Sequence, residues 1–219
     1  MNDGILLIDK PAGMTSFGVV ARIRRVLSQR AGKKVKVGHT GTLDPFATGL
    51  MILVIGHECK NAGVYTKLDK VYEATFRLGQ TSTTGDPEGE VIATSDYQPT
   101  RKEVEVALQQ FTGDISQRPP IFSAIKINGQ RAYKRARNGE EVEIPTRTVM
   151  VHSLELLDYT YPELKVRTHV SSGTYIRSLA VDIGKVLKTD SYCTQLRRIS
   201  ISTWHVDMAK QLSDFGITD

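Results

Sequence analysis

Apolar residues along this 219-residue chain fall into short runs whose period switches between two and about 3.6. Ile5 to Ile8 reads as a short buried strand. From Ser16, which can cap a helix, Phe17, Val20, Ile23 and Leu27 recur at helical spacing. Gly32 follows, so the pattern predicts a helix ending near Arg30. Met51 to Ile55 is continuously apolar between Gly49 and Gly56, as a central strand would be. Tyr72, Ala74, Phe76 and Leu78 alternate with polar neighbours and predict a half-buried strand. Thr100 and Glu103 form a capping box for a helix ending near Gly113. Ser123 to Ile127 followed by Asn128-Gly129 signals a hairpin. Val166 to Ser171 is a further strand. Thr174 to Leu187 is helical, with Ile176, Leu179, Ala180, Ile183 and Leu187 on one stripe. Strands and helices interleave, yet several strands adjoin as hairpins, which predicts an α+β domain on a mixed sheet rather than repeated βαβ units. The stretch from about Gln117 to Arg147 is rich in Pro, Gly and basic residues and reads as an insertion.

Composition narrows the function. Hydrophobic residues at 40% and charged residues at 24% are ordinary for a globular chain. No apolar run approaches the roughly 20 residues that span a bilayer, and the N-terminus lacks a secretory pattern, so a cytoplasmic protein is expected. Cys59 and Cys193 form no CxxC and are expected to be reduced. The five histidines show no metal-ligand spacing, and no phosphate-cradling glycine motif appears. Net charge is +5 with pI about 9.2, which suits a polyanionic partner. The basic residues are also clustered. Arg22, Arg24, Arg25, Arg30, Lys33, Lys34 and Lys36 fall in one stretch without an acidic residue. A second group, Arg118, Lys126, Arg131, Lys134, Arg135 and Arg137, is interleaved with Phe122 and Tyr133. Cations mixed with aromatics suit RNA, by phosphate neutralisation and base stacking, although charge runs are commonly just solvated faces.

Three segments can carry chemistry. Gly38 to Gly49, GHTGTLDPFATG, has too many glycines for regular structure. Its Pro45 keeps Asp44 out of helical geometry, so a carboxylate sits on a rigid loop beside the Met51 strand. The plainer alternative is that Asp44 only organises the turn. In Ser171 to Gly184, SSGTYIRSLAVDIG, a strand ends and a helix starts. Arg177 in the first turn can reach a carboxylate in a central cleft, or can be a surface arginine. In Lys70 to Gly89, Tyr72 can present its ring to a ligand or belong to the core, and Asp86 lies in the polar loop that follows.

The order DKPAGMTS (Asp9 to Ser16), GHTGTLDPFATG, VYEATFRLG, SSGTYIRSLAVDIG and LRRIS (Leu196 to Ser200) resembles the bacterial TruB family of tRNA pseudouridine synthases over nearly the whole chain. Arg118 to Arg147 resembles that family's RNA-clamping insertion. The resemblance implies a pseudouridine synthase fold with a mixed, largely antiparallel central sheet flanked by helices. It implies one catalytic domain over residues 1–219, with a thumb at about 117–147 and without the family's usual C-terminal RNA-binding PUA domain. It implies Asp44 as the reacting carboxylate, Arg177 as its ionic partner, and Tyr72 as the ring that stacks on the flipped uracil and assists proton removal from C5. His39, Tyr175 and Leu196 become substrate contacts, Lys10 and Pro11 braces of the Asp44 loop, and Asp86 a polar contact. No cofactor and no metal is implied, and the partner is the T-stem-loop of tRNA, bound by a monomer. Two other readings remain open at this point: the same chemistry inside a guide-RNA particle, against which the clamping insertion argues, and a non-catalytic RNA-binding module. A pure binder has no use for a carboxylate held beside a phosphate-rich ligand.

Overall fold

A computed structural model describes residues 3–123, 125–127, 130–131 and 144–218. In chain order the described elements are β1 (Gly4–Lys10), α1 (Ser16–Ala31), β2 (Val37–His39), β3 (Thr48–Ile55), α2 (Ala62–Thr66), β4 (Lys70–Leu78), β5 (Gln80–Ser82), β6 (Val91–Ala93), α3 (Arg101–Gln109), β7 (Gly113–Gln117), β8 (Lys126–Ile127), β9 (Gln130–Arg131), β10 (Arg147–Thr160), β11 (Glu163–Val170), α4 (Ile176–Val186), β12 (Ser191–Ile201) and β13 (Trp204–His205). The chain divides into two compact units, Met1–Glu73 with Leu196–Asp219, and Ala74–Gln195.

The first unit is built on β3. Its residues Gly49 to Ile55 are all buried, as the unbroken apolar run requires. β1 pairs with it antiparallel, Gly4 opposite Ile55 and Lys10 opposite Gly49. β2 also pairs antiparallel, and Arg197 and Arg198 of β12 pair in parallel with Thr48 and Gly49. Leu50, Ile52, Ile201 and Val206 form a core against which Leu7, Tyr65 and Trp204 pack. The N-cap of α1 is Thr15, whose hydroxyl accepts from the Gly18 amide at 2.9 Å, not Ser16 as expected. The buried face carries Val19, Val20, Ile23 and Leu27, while Phe17 is 63% exposed and leaves the expected stripe. Gly32 ends the helix in the left-handed region, φ 61°.

In the second unit β10 pairs antiparallel with both β11 and β7. The capping box on α3 forms as expected, but the helix stops at Gln109 and Gly113 opens β7. The α4 stripe of Ile176, Leu179, Ala180 and Ile183 is buried as its periodicity predicts. Ile127 and Gln130 are partners in the antiparallel β8/β9 pair; the expected turn residues Asn128-Gly129 lie outside the described residues. So do residues 132–143, which include Tyr133, Lys134, Arg135 and Arg137. Antiparallel pairs with β12 parallel to β3, mixed with helices, make this an α+β fold on mixed, largely antiparallel sheet.

Candidate active site

Asp44 sits half-buried in the irregular stretch from Thr40 to Ala47, between β2 and β3. The stretch is braced at nearly every residue. The Thr40 amide and hydroxyl both donate to the Ile52 carbonyl, at 3.2 and 3.3 Å. The Ser16 hydroxyl donates to the Leu43 carbonyl at 2.9 Å and accepts from the Leu43 amide at 2.8 Å. The cap shift to Thr15 is what leaves Ser16 available for this. Lys10 is fully buried, and its ammonium donates to the carbonyls of Pro11, Met14 and Pro45 at 2.7, 2.6 and 3.1 Å. The Gly13 amide also donates to Pro45, and the Ala47 amide closes a turn onto the Asp44 carbonyl. Both flanks of Asp44 are thus fixed by hydrogen bonds from distant residues, which is how a loop gains the rigidity that reaction chemistry asks of it.

The other sequence-derived positions of this unit are buried or partly so. His39 ends β2 opposite Leu53, Tyr72 is buried on β4, and Leu196 is buried on β12.

The second unit gathers Asp86, Tyr175 and Arg177. Arg177 is 3% exposed although it stands in the first turn of α4. One terminal nitrogen meets the Asp86 carboxylate at 3.0 Å and the Thr84 carbonyl at 2.8 Å; the other donates to the Phe122 carbonyl at 2.9 Å. Asp86 is itself buried and accepts from the Thr84 hydroxyl and the Glu88 amide. The pair is charge-assisted and fully desolvated, and such pairs hold geometry more reliably than they add stability. Tyr175 is fixed through its backbone. The buried Gln117 amide group accepts from the Tyr175 N–H at 2.8 Å and donates to its carbonyl at 3.0 Å. The guanidinium of Arg147 lies 5.1 Å from the Tyr175 ring centroid and donates to the Gly173 carbonyl. Ser178 donates to the Arg118 carbonyl, so α4 also holds the described start of the basic stretch.

Sequence reasoning placed Lys10 as a brace of the Asp44 loop; it gave Asp86 only as a polar contact and did not foresee its pairing with Arg177. It missed Ser16 as a brace, Gln117 as a backbone clamp, and Arg147 as a ring partner. It also missed a histidine pair: His152 and His169, 17 residues apart, lie ring to ring at 4.5 Å because β10 pairs with β11. Spacing along the chain carries no signal for such ladder neighbours.

An α+β chain with a braced carboxylate loop and a buried arginine–aspartate pair has the rigid, charged groups of an enzyme's site. Residues 24–176 match the TruB family pseudouridylate synthase N-terminal domain. A tRNA pseudouridine synthase B of Aromatoleum aromaticum is 45% identical over 211 residues, covering 96% of this chain and 67% of the relative. One from Phocaeicola vulgatus is 44% identical over 213 residues, covering 96% of this chain and 91% of the relative. Among solved structures, a chain of a Cbf5-Nop10-Gar1 complex superposes with TM-score 0.74 at 27% identity, over 96% of this chain. A chain of an H/ACA RNP bound to a substrate RNA containing 2'-deoxyuridine shares the fold, with TM-score 0.71 at 24% identity. This chain spans about half the length of those two, 53% and 51%. The chain belongs to the TruB family of pseudouridylate synthases.

Proposed function

We propose that this chain converts uridine to pseudouridine in the T-loop of tRNA, at position 55 in standard tRNA numbering. The observation that carries the reading is the multiply braced Asp44 loop, in a chain 45% identical to a protein named tRNA pseudouridine synthase B along 96% of its length. The reaction cleaves the N1–C1′ bond, turns the uracil and joins C5 to C1′; the C5 proton leaves and N1 takes one up. Atoms balance without a redox partner, so no cofactor is required. The target base is turned out of the RNA fold at a cost of a few kcal/mol, and stacking on the Tyr72 ring returns roughly 1–3 kcal/mol. Asp44 acts at the sugar, either by attacking C1′ or by taking a proton from the ribose. Covered by RNA, its carboxyl is pressed toward the neutral form. The Arg177 guanidinium opposes this and keeps it ionised. Asp86 acts through Arg177, whose position it fixes. Tyr72 assists removal of the C5 proton, while His39, Tyr175 and Leu196 contact the flipped nucleotide and its neighbours.

The enzyme works as a cytoplasmic monomer on free tRNA. Identity of 44–45% to proteins named tRNA pseudouridine synthase B, against 27% to a chain of a Cbf5-Nop10-Gar1 complex, favours this over a guide-RNA particle. The test is release of tritium from C5-labelled, unmodified tRNA. Wild type should release it without added metal or cofactor. Asp44→Asn should release none while binding tRNA within about tenfold of wild type. Turnover by Asp44→Asn would remove Asp44 from the reaction.

A further inference from the structure

β12 carries two adjacent arginines, and neighbouring side chains on a strand point to opposite faces. Arg197 grips the Asp9 carboxylate with both terminal nitrogens, at 3.1 and 2.8 Å, and donates to the Thr48 hydroxyl. Arg198 is 1% exposed and turns the other way. Its Nε donates to the Leu50 carbonyl of β3 at 2.6 Å, and its Nη2 to the Gly41 carbonyl at 3.2 Å. Gly41 stands three residues before Asp44 in the chain. The guanidinium therefore spans from a strand to the loop, with a neutral carbonyl at each end.

We propose that Arg198 is a positioning residue for Asp44, setting the height of the Thr40–Ala47 loop above β3 through the Leu50 and Gly41 carbonyls. This rests on the reading that Asp44 is the reacting carboxylate. A buried guanidinium held by carbonyls, with no carboxylate paired to it among the described residues, is an expensive way to join two strands of backbone. A second buried cation makes it more so. Lys70 lies beside the same glycine: a β-carbon on Gly41 would sit 3.5 Å from Arg198 Nη1 and 3.9 Å from the Lys70 side chain. Burial and the Arg198 charge together depress the Lys70 ammonium. An apolar side chain would fill the space without either cost. Only a planar fork meets two acceptors at a fixed separation, and a lysine at position 198 can satisfy one of them at a time.

The experiment compares wild type, Arg198→Lys, Arg197→Lys and Asp44→Asn in single-turnover tritium release at saturating enzyme, with tRNA binding and thermal melting measured in parallel. Arg198→Lys is expected to slow the saturating rate by at least about tenfold while tRNA binding stays within about threefold. Arg197→Lys, whose contacts go to Asp9 and Thr48, is expected to lower the melting temperature yet keep the saturating rate within about twofold. A role confined to stability would lower the melting temperature of Arg198→Lys and leave the rate per folded molecule unchanged, which overturns the proposal. Equal rate losses in both arginine variants overturn it as well. If Arg198→Lys does not fold, Arg198→Gln is read by the same criteria. Asp44→Asn separates the two levels: if it still turns over, the functional reading fails; if it is dead while Arg198→Lys is normal, only the role of Arg198 fails.

Discussion

Lys70 and Arg198 are two cations in the interior of one unit, and Lys70 registers the strain of that arrangement. Burial first, then the neighbouring Arg198 charge, push its ammonium down to about 8, against a smaller opposing pull from Asp69. Its hydrogen bonds to the Thr66 and Leu68 carbonyls hold the proton in place without an ion pair between them. In the unfolded chain the same group titrates near 10.5, so between pH 8 and 10.5 the unfolded state binds more protons than the folded one. The burden on stability is therefore complete below pH 8 and lifts as pH rises. Relative to Lys70→Met, the wild type should gain about 3 kcal/mol between pH 7 and pH 10.5. Urea melts of both proteins at the two pH values measure this, and a difference that does not change with pH would show the ammonium is well solvated. At this scale the sequence was half legible. Asp44 stood out because Asp-Pro among glycines admits few conformations. Arg198 did not, because its partners Gly41 and Leu50 are more than a hundred residues away and a backbone carbonyl leaves no mark on composition.

At the scale of elements, the apolar pattern located β1, β3, β4 and α4 to within a few residues because it records their burial, and the Thr100–Glu103 capping box located the start of α3. The start of α1 was misread for a local reason. Thr15 and Ser16 are both good caps, and what decides between them is that Leu43 needs the Ser16 hydroxyl. The close approach of β12 to β3 was also invisible in the pattern, although Gly49 hints at it. Gly49 has φ +105°, and a β-carbon there would lie 2.3 Å from the Arg198 carbonyl oxygen. Gly49→Ala must spread the parallel pair and strain its own backbone, at a cost on the order of 3 kcal/mol. Thermal melting reads this directly. A change below about 1 kcal/mol would mean that β12 yields easily.

Across the whole molecule the excess of positive charge is not spread evenly. Lys33, Lys34 and Lys36, which end the basic stretch after α1, meet Lys60 and His57 around a concavity of about 440 Å³ rimmed by Asp3. All four lysines are exposed. The concavity lies at the Gly56 end of β3, and Asp44 precedes the other end, so eight residues of strand, roughly 25 Å, separate them along the chain direction. Changing the four lysines to glutamine should flatten the dependence of tRNA affinity on salt, by roughly 2–4 units in the slope of log K against log salt. The saturating rate should be unaffected. An unchanged slope would make the patch a solvated face. Charge count alone gave the sign of the partner, and only the fold gave the convergence of Lys60 with a run more than twenty residues earlier.

The first unit takes its last stretch of chain from Leu196 onward, and the bonds of that stretch reach far back: Arg198 to Gly41 over 157 positions, Arg197 to Asp9 over 188. During translation the Asp44 loop is made more than a hundred residues before its clamp. A nascent chain still lacking β12 has the carboxylate but not the Arg198 guanidinium that seats its loop, so ribosome-stalled fragments that stop before β12 are expected to leave uridine unconverted.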